Sequence, residues 1–229
     1  MRVIGQRINP SGRPRFQAEL ARGSLATVLK EAGAQSRAGA DALDVNVGEG
    51  PKDEAAMMAK ALRAIRKKVG LPLWVDSRHP EVLRAGLRAC RRGDFLNSVS
   101  EHPEFLALLP AASRKGMGVV VHAAGKSVRE RMQSVRRVAA AALKAGIPRE
   151  RLLVDCLAMP RVLGPGVNRT TLAMIGALRK EGLASLLALS NVSYGRKRRA
   201  RVEAAFLKEA QRRGLDACIL DPLRSGFRR

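Results

Sequence analysis

Short apolar runs alternate with amphipathic stretches from one end of this chain to the other. The runs Val3–Ile8, Ala42–Val47, Pro72–Val75, Asp94–Asn97, Gly118–His122, Arg151–Asp155, Leu186–Leu189 and Ala217–Leu220 read as strands. Between them, Leu25–Ala38, Glu54–Val69, Pro80–Cys90, Pro103–Arg114, Val128–Ala145, Thr170–Glu181 and Ala200–Arg213 read as helices. A strand that is apolar on both faces needs cover on both. Helices in the connections supply that cover and make neighbouring strands parallel. Eight such units predict a (β/α)8 TIM barrel, with an open doubly wound sheet as the alternative. No Gly/Ser-rich or Pro-rich linker divides the 229 residues, so residues 1–229 read as one domain. Only Asp221–Arg229 follow the last strand, too few for an ordinary final helix. The barrel is therefore expected to lack a normal last helix, with a subunit partner covering the gap or the chain itself being incomplete.

The helices are expected to start on recognisable signals. Ser24 stands where it can cap the helix from Leu25. Pro80 sits in a first turn, where its missing N–H costs little. The segment Asn9–Pro14 reads as a Gly/Pro/Ser loop. Aromatic residues make up only 3% of the chain, so the core must come from Ala, Leu, Val and Ile.

The formal net charge is +23. It could mark a nucleic-acid footprint, steer an acidic partner or anionic substrate, or reflect free use of Arg on solvated faces. The cations are spread along most helices, which favours the last reading. Their densest cluster, Arg196 to Arg199 with Arg201, directly follows Ser190–Ser193. It is expected either at a pocket mouth or as a plain basic patch on a helix start. One Trp and one Tyr leave few stacking platforms, so nucleic acid is an unfavoured partner. Cys90, Cys156 and Cys218 lie far apart, which suits a reduced cytoplasm better than a disulfide framework. No signal-peptide segment or membrane-length apolar run is present, so no membrane partner is expected. His79, His102 and His122 are isolated, and no metal-ligand spacing appears, so no metal site is expected. No glycine-rich phosphate loop follows a strand.

The signal for function lies at the strand ends. Asp44, Asn46, Asp76, Asn97, Asp155, Asn191 and Asp221 each close or follow an apolar run, and His122 does the same. Singly, such residues turn the chain or cap the next helix. Together they would surround the carboxyl-end mouth of a barrel, where barrel enzymes place their sites. A buried carboxylate needs hydrogen-bond donors. A pterin supplies them, because its amino-pyrimidinone edge offers two adjacent N–H groups to one carboxylate.

Several segments resemble the pterin-binding, dihydropteroate synthase-like superfamily, and most closely the methyltetrahydrofolate:corrinoid methyltransferases. Ile4-Gly5-Gln6-Arg7-Ile8-Asn9 is similar to that family's Ile-Gly-Glu-Arg-Ile-Asn opening. Gly39 through Gly48, Asp76-Ser77, Asn97-Ser98 and Gly214-Leu215-Asp216-Ala217 resemble further segments. Leu189-Ser190-Asn191-Val192-Ser193 is intact, where dihydropteroate synthases carry Ser-Arg-Lys. The resemblance implies that Asp76, Asn97 and Asp155 hold the pterin ring, with Asp44 and Asn46 in the same pocket. It places Asn191 near the methyl-bearing nitrogen and lets Asp76 sustain the proton network through water. Asn9, His122, Ser193 and Asp221 are further candidates. The implied reaction passes the methyl of methyltetrahydrofolate to the Co(I) corrinoid (cobalamin) of a partner protein, and the implied assembly is a homodimer. The departures are Gln6 for Glu, His122 to Lys126 in an altered segment, and Cys156 after Asp155. They leave two alternatives, a non-catalytic pterin-binding subunit and a divergent dihydropteroate synthase-like enzyme.

Overall fold

In the computed structural model the described residues are 1–224. Eight parallel strands close into a barrel in sequence order: β1 (Arg2–Ile8), β2 (Ala42–Val45), β3 (Leu73–Asp76), β4 (Phe95–Val99), β5 (Gly118–His122), β6 (Leu152–Asp155), β7 (Ala184–Ala188) and β8 (Ala217–Leu220). β1 closes the ring on β8, with Ile4 beside Ile219. The helices are α1 (Pro14–Ala21), α2 (Ala26–Arg37), α3 (Glu54–Lys68), α4 (Pro80–Leu87), α5 (Pro103–Leu106), α6 (Leu109–Arg114), α7 (Val128–Lys144), α8 (Arg169–Lys180) and α9 (Arg199–Arg212).

Alternation along each strand sorts the apolar residues into two cores. Leu43, Val75, Leu96, Val119, Val154 and Leu187 face outward and pack with the buried faces of the helices. Ile4, Ala42, Trp74, Phe95, Val120, Leu153, Leu186, Ala217 and Ile219 fill the barrel itself. Trp74 and Phe95 stack there with centroids 4.8 Å apart. Two residues beyond this layer, the same inward parity falls on Asp44, Asp76, Asn97, His122 and Asp155. The period of two thus places these polar groups on an apolar floor.

Local structure departs from the sequence reading at several points. α1 was not expected. It starts on Pro14 and buries Phe16 and Leu20, a stripe too short to stand out among its polar neighbours. Ser24 lies one residue outside the cap position of α2, which Leu25 holds without a side-chain bond; Ser24 Oγ accepts the Ala26 N–H in a long bond of 3.4 Å. The Glu19 carboxylate makes the shorter bond to this helix start, accepting the Thr27 N–H at 2.6 Å. The expected helix Pro103–Arg114 is two helices, because Pro110 has no N–H to continue the ladder. The helix from Pro80 ends at Leu87. β2 stops at Val45, which leaves Asn46 in the following loop. The segment Leu189–Ser193 is a 3-10 turn after β7.

Among the described residues, Asp221 is followed by a turn and no helix, in line with the expected missing last helix. Residues 225–229 lie outside the described residues. The strand itself is not bare, since Cys218 and Leu220 are buried in the same core as Val28, Phe206 and Ala210. The three cysteines are all free and buried. No helix of the described residues is long and apolar enough to cross a membrane.

Candidate active site

The inward polar residues form a connected set. Asn97 Nδ2 donates to Asp44 Oδ1 at 2.9 Å. Asn46 Nδ2 donates to Asp76 Oδ2 at 3.0 Å, and Asn46 Oδ1 accepts the Gly48 N–H at 3.0 Å. That second bond fixes which end of the Asn46 amide faces Asp76. Asp44 and Asp76 also hydrogen-bond to one another. Two carboxyl groups in contact inside a protein do not both ionise, so one proton stays between them.

Burial and the neighbouring Asp76 charge hold the Asp44 carboxyl well above the usual carboxylate range. Burial also pushes Asp76 up, to about 6, against the pull of the Asn46 amide and the Arg78 cation. Asp44 therefore acts as the neutral acid, and its O–H donates a hydrogen bond to Asp76. On the next side of the mouth, burial raises Asp155, opposed by the Leu157 N–H and the charges of His122 and Arg131. Asp155 Oδ1 accepts the Leu157 N–H at 2.9 Å. Leu157 makes that bond from a left-handed conformation, φ 55°. Such strain in a branched residue persists where surrounding contacts enforce it. Thr171 Oγ1 supplies one by donating to the Leu157 carbonyl at 2.8 Å.

Asp44, Asn46, Asp76 and Asn97 thus stand in one hydrogen-bonded set, and Asp155 follows on a nearby strand. His122 pairs in register with Asp155 across β5 and β6. The other candidates are placed differently. Asn191 lies exposed on the 3-10 turn, its side chain unbonded among the described residues. Ser193 is buried and donates to Glu203 Oε1, while Arg199 Nε donates to Ser193 Oγ at 3.0 Å; it fastens the turn to α9. Asn9 Oδ1 accepts the Ser11 N–H at 3.0 Å, an ordinary turn contact. Asp221, just past the end of β8, is ion-paired with Arg7 at 2.7 Å. Arg7 also binds Glu31, which in turn pairs with Arg13.

Two cations near the site were not singled out from the sequence. Arg78 follows Asp76 by two residues and favours its ionised form. Arg131 on α7 is buried, with Nε on the Gly125 carbonyl at 3.0 Å and Nη1 on the Cys156 carbonyl at 2.8 Å. It fastens the loops after β5 and β6 together behind Asp155. A single Arg in a basic helix gives no local sign of this role. Among the described residues, no group of three or more His, Cys, Asp or Glu is placed to hold a metal ion. Carboxylates interleaved with amides suit a planar ring rich in N–H groups and ring nitrogens.

The sequence model of the pterin binding enzymes matches residues 5–221. This chain belongs to that family. Methionine synthase of Mycobacterium leprae is 27% identical over 238 aligned positions, covering 95% of this chain and 20% of the relative. This chain thus spans about a fifth of the length of that relative. Methylcorrinoid:tetrahydrofolate methyltransferase of Eubacterium limosum is 24% identical, covering 97% of this chain and 85% of the relative. Among solved structures, the dihydropteroate synthase of Xanthomonas albilineans in complex with 7,8-dihydropteroate superposes with a TM-score of 0.74. It is 25% identical over 98% of this chain and 88% of that one. That solved structure shares its fold with this member of the family.

Proposed function

We propose that this chain binds a reduced methyl-pterin at the barrel mouth and moves its methyl group between methyltetrahydrofolate and the corrinoid of a partner protein. The observation that carries the reading is the connected set Asp44, Asn46, Asp76 and Asn97, with Asp155 on the adjoining side. The ionised carboxylates accept the pterin N–H groups, while Asn97 offers an amide to the ring. The similarity to a named methylcorrinoid:tetrahydrofolate methyltransferase supports the choice of reaction. That name puts the corrinoid on the donor side, and one site serves both directions because the transition state is shared.

The chemical difficulty is the leaving group. A tertiary amine departs poorly unless it gains a proton or a strong hydrogen bond as the bond to carbon breaks. Asp44 and Asp76 hold one proton inside the site, and water linked to Asp76 extends that network to the ring. Asn191 supplies an amide that strengthens its hydrogen bond as the nitrogen becomes basic, which stabilises the transition state more than the ground state. The corrinoid supplies the cobalt centre that takes or gives the methyl group. No residue of this chain is assigned to hold it. The exposed position of Asn191 suits the approach of a large group carried by another protein. A homodimer and a cytoplasmic location belong to the same reading; light scattering of the purified chain tests the dimer.

The test is incubation of methyltetrahydrofolate with Co(I) cobalamin and the chain, followed by visible absorbance. Transfer that depends on the chain supports the reading. Tight pterin binding without transfer leaves a binding subunit, the second reading, which the Gln6 substitution and the altered segment His122 to Lys126 favour. Formation of dihydropteroate from a hydroxymethyl-dihydropterin diphosphate and 4-aminobenzoate, with release of pyrophosphate, would instead mark a dihydropteroate synthase-like enzyme.

A further inference from the structure

Among the described residues, the large apolar side chains left exposed are not scattered. Five of the seven, Met159, Val162, Leu163, Tyr194 and Leu223, lie on the loops that follow β6, β7 and β8. These strands are neighbours in the barrel, so their loops share one sector of the carboxyl-end rim. That sector adjoins Asp155 and carries Asn191. Isolated exposed apolar residues need no explanation, but a cluster on one functional face does.

The loops are built to hold this shape. The Asn168 amide closes the base of the loop after β6, accepting the Met159 N–H at 2.7 Å and donating to the Met159 carbonyl at 2.8 Å. Its tip bears Leu163, which is 63% exposed. Arg196 Nη2 donates to the Arg161 carbonyl at 3.1 Å, which ties this loop to the one after β7. Val162 lies against Gly195, where an added Cβ would stand 3.4 Å from it. A clamped loop with an apolar tip gives up little chain entropy on docking.

The charge of the sector is one-sided. Residues 156–168, 189–198 and 221–224 contain one carboxylate, Asp221, which is buried and paired with Arg7. Arg161, Arg196, Lys197 and Arg198 stand exposed around the apolar side chains. A second copy of this chain would bring the same cations face to face, which opposes self-association here. A nucleic acid would answer the charge but not the aliphatic centre, and the chain's single Tyr offers one stacking ring.

We propose that the loops after β6, β7 and β8 form the docking surface for the protein that carries the methyl acceptor, and that this partner presents an apolar patch bordered by carboxylates. The assignment of the partner's cargo rests on the function proposed above; the surface itself rests on the exposed side chains and their charge. Apolar anchors at the centre hold such a complex, and the cationic border sets its encounter rate and salt dependence.

The experiment compares wild type with Leu163→Ser and with the double variant Arg196→Glu/Lys197→Glu. Two acceptors are used, free Co(I) cobalamin and a cobalamin-loaded corrinoid protein, and affinity for that protein is measured directly by interferometry at two salt concentrations. Both variants are expected to lose about tenfold or more in affinity for the corrinoid protein and in transfer to it. Transfer to free cobalamin and affinity for methyltetrahydrofolate stay within about twofold of wild type on the same scale. Unchanged affinity for the corrinoid protein in both variants, or no binding by wild type, overturns the proposal. A parallel loss of pterin affinity also overturns it, by making the sector part of the substrate pocket. So does a short DNA duplex that binds more tightly than the corrinoid protein and depends on Arg196 and Lys197. If wild type binds the corrinoid protein through this sector but transfers no methyl group, the docking surface stands and the proposed reaction falls.

Discussion

Replacing Asp44 by asparagine tests whether the buried pair stores a proton. Asparagine has the shape of the neutral acid. Its Oδ1 can still accept the Asn97 N–H, now at 2.9 Å, and its Nδ2–H takes the place of the acid proton facing Asp76. In wild type the folded carboxyl is held well above its ordinary range by burial and by the Asp76 charge. A carboxyl whose folded pKa lies above the unfolded one contributes stability that is complete below the unfolded pKa and is lost as pH rises through the folded one. The loss is about 1.4 kcal/mol for each pH unit over which only the unfolded chain is ionised. Asp76, raised from 3.8 to about 6, adds a loss of its own across that window, ~3 kcal/mol by the same conversion. The substituted amide cannot ionise in either state, so only the Asp44 contribution disappears. At pH 4 the variant should match wild type within about 1 kcal/mol, since both hydrogen bonds are kept. It should then gain on wild type by about 1.4 kcal/mol per unit above pH 4, for as long as Asp44 keeps its proton. Urea denaturation from pH 4 to pH 8 measures this, and the difference between the two proteins cancels the effect of the overall charge. Parallel stability curves, or a variant less stable at pH 8, would refute the shared proton.

Affinity for methyltetrahydrofolate should weaken as pH falls through about 6, because protonated Asp76 offers fewer acceptors to the pterin; calorimetry across pH 5 to 8 checks this, and tighter binding in acid would contradict it. Asn191→Ala should lower the rate of methyl transfer by about tenfold or more while changing pterin affinity little, because its hydrogen bond matters most as the nitrogen becomes basic. An equal loss in both quantities would make Asn191 an ordinary binding residue. Glu203→Ala removes the partner of the buried Ser193 hydroxyl and should cost about 1–3 kcal/mol of stability, read by denaturant unfolding. It should also slow transfer, since the turn bearing Asn191 loses its tie to α9.

The strands were legible in the sequence because a barrel strand is apolar on both faces, and Leu43, Val75 or Val154 cannot be mistaken for a solvated edge. α1 was not, because Phe16 and Leu20 make too brief a stripe among Arg and Glu. At the site, the residue types were legible but their partners were not. Asp44 and Asn97 are 53 positions apart, and only barrel closure decides that they meet. Asp221 and Asp155 look alike at the end of an apolar run. Both stand two residues past an inward-facing side chain, Ile219 or Leu153, so parity does not separate them. One pairs with Arg7 and the other accepts the Leu157 N–H, and the partner that the neighbouring chain brings near each makes the difference. The intact Leu189–Ser193 motif likewise concealed a division of labour, with Ser193 fastening the turn and Asn191 left at the rim.

The central claim is that the strand-end carboxylates hold a pterin ring. Isothermal titration of wild type, Asp76→Ala and Asp155→Ala with methyltetrahydrofolate tests it most directly. A carboxylate that accepts ring N–H groups contributes about 1.5–3 kcal/mol, so each variant should bind about 10- to 150-fold more weakly, with its fold confirmed by circular dichroism. Folded variants that bind methyltetrahydrofolate as wild type does, or a wild type that binds none, would contradict the account.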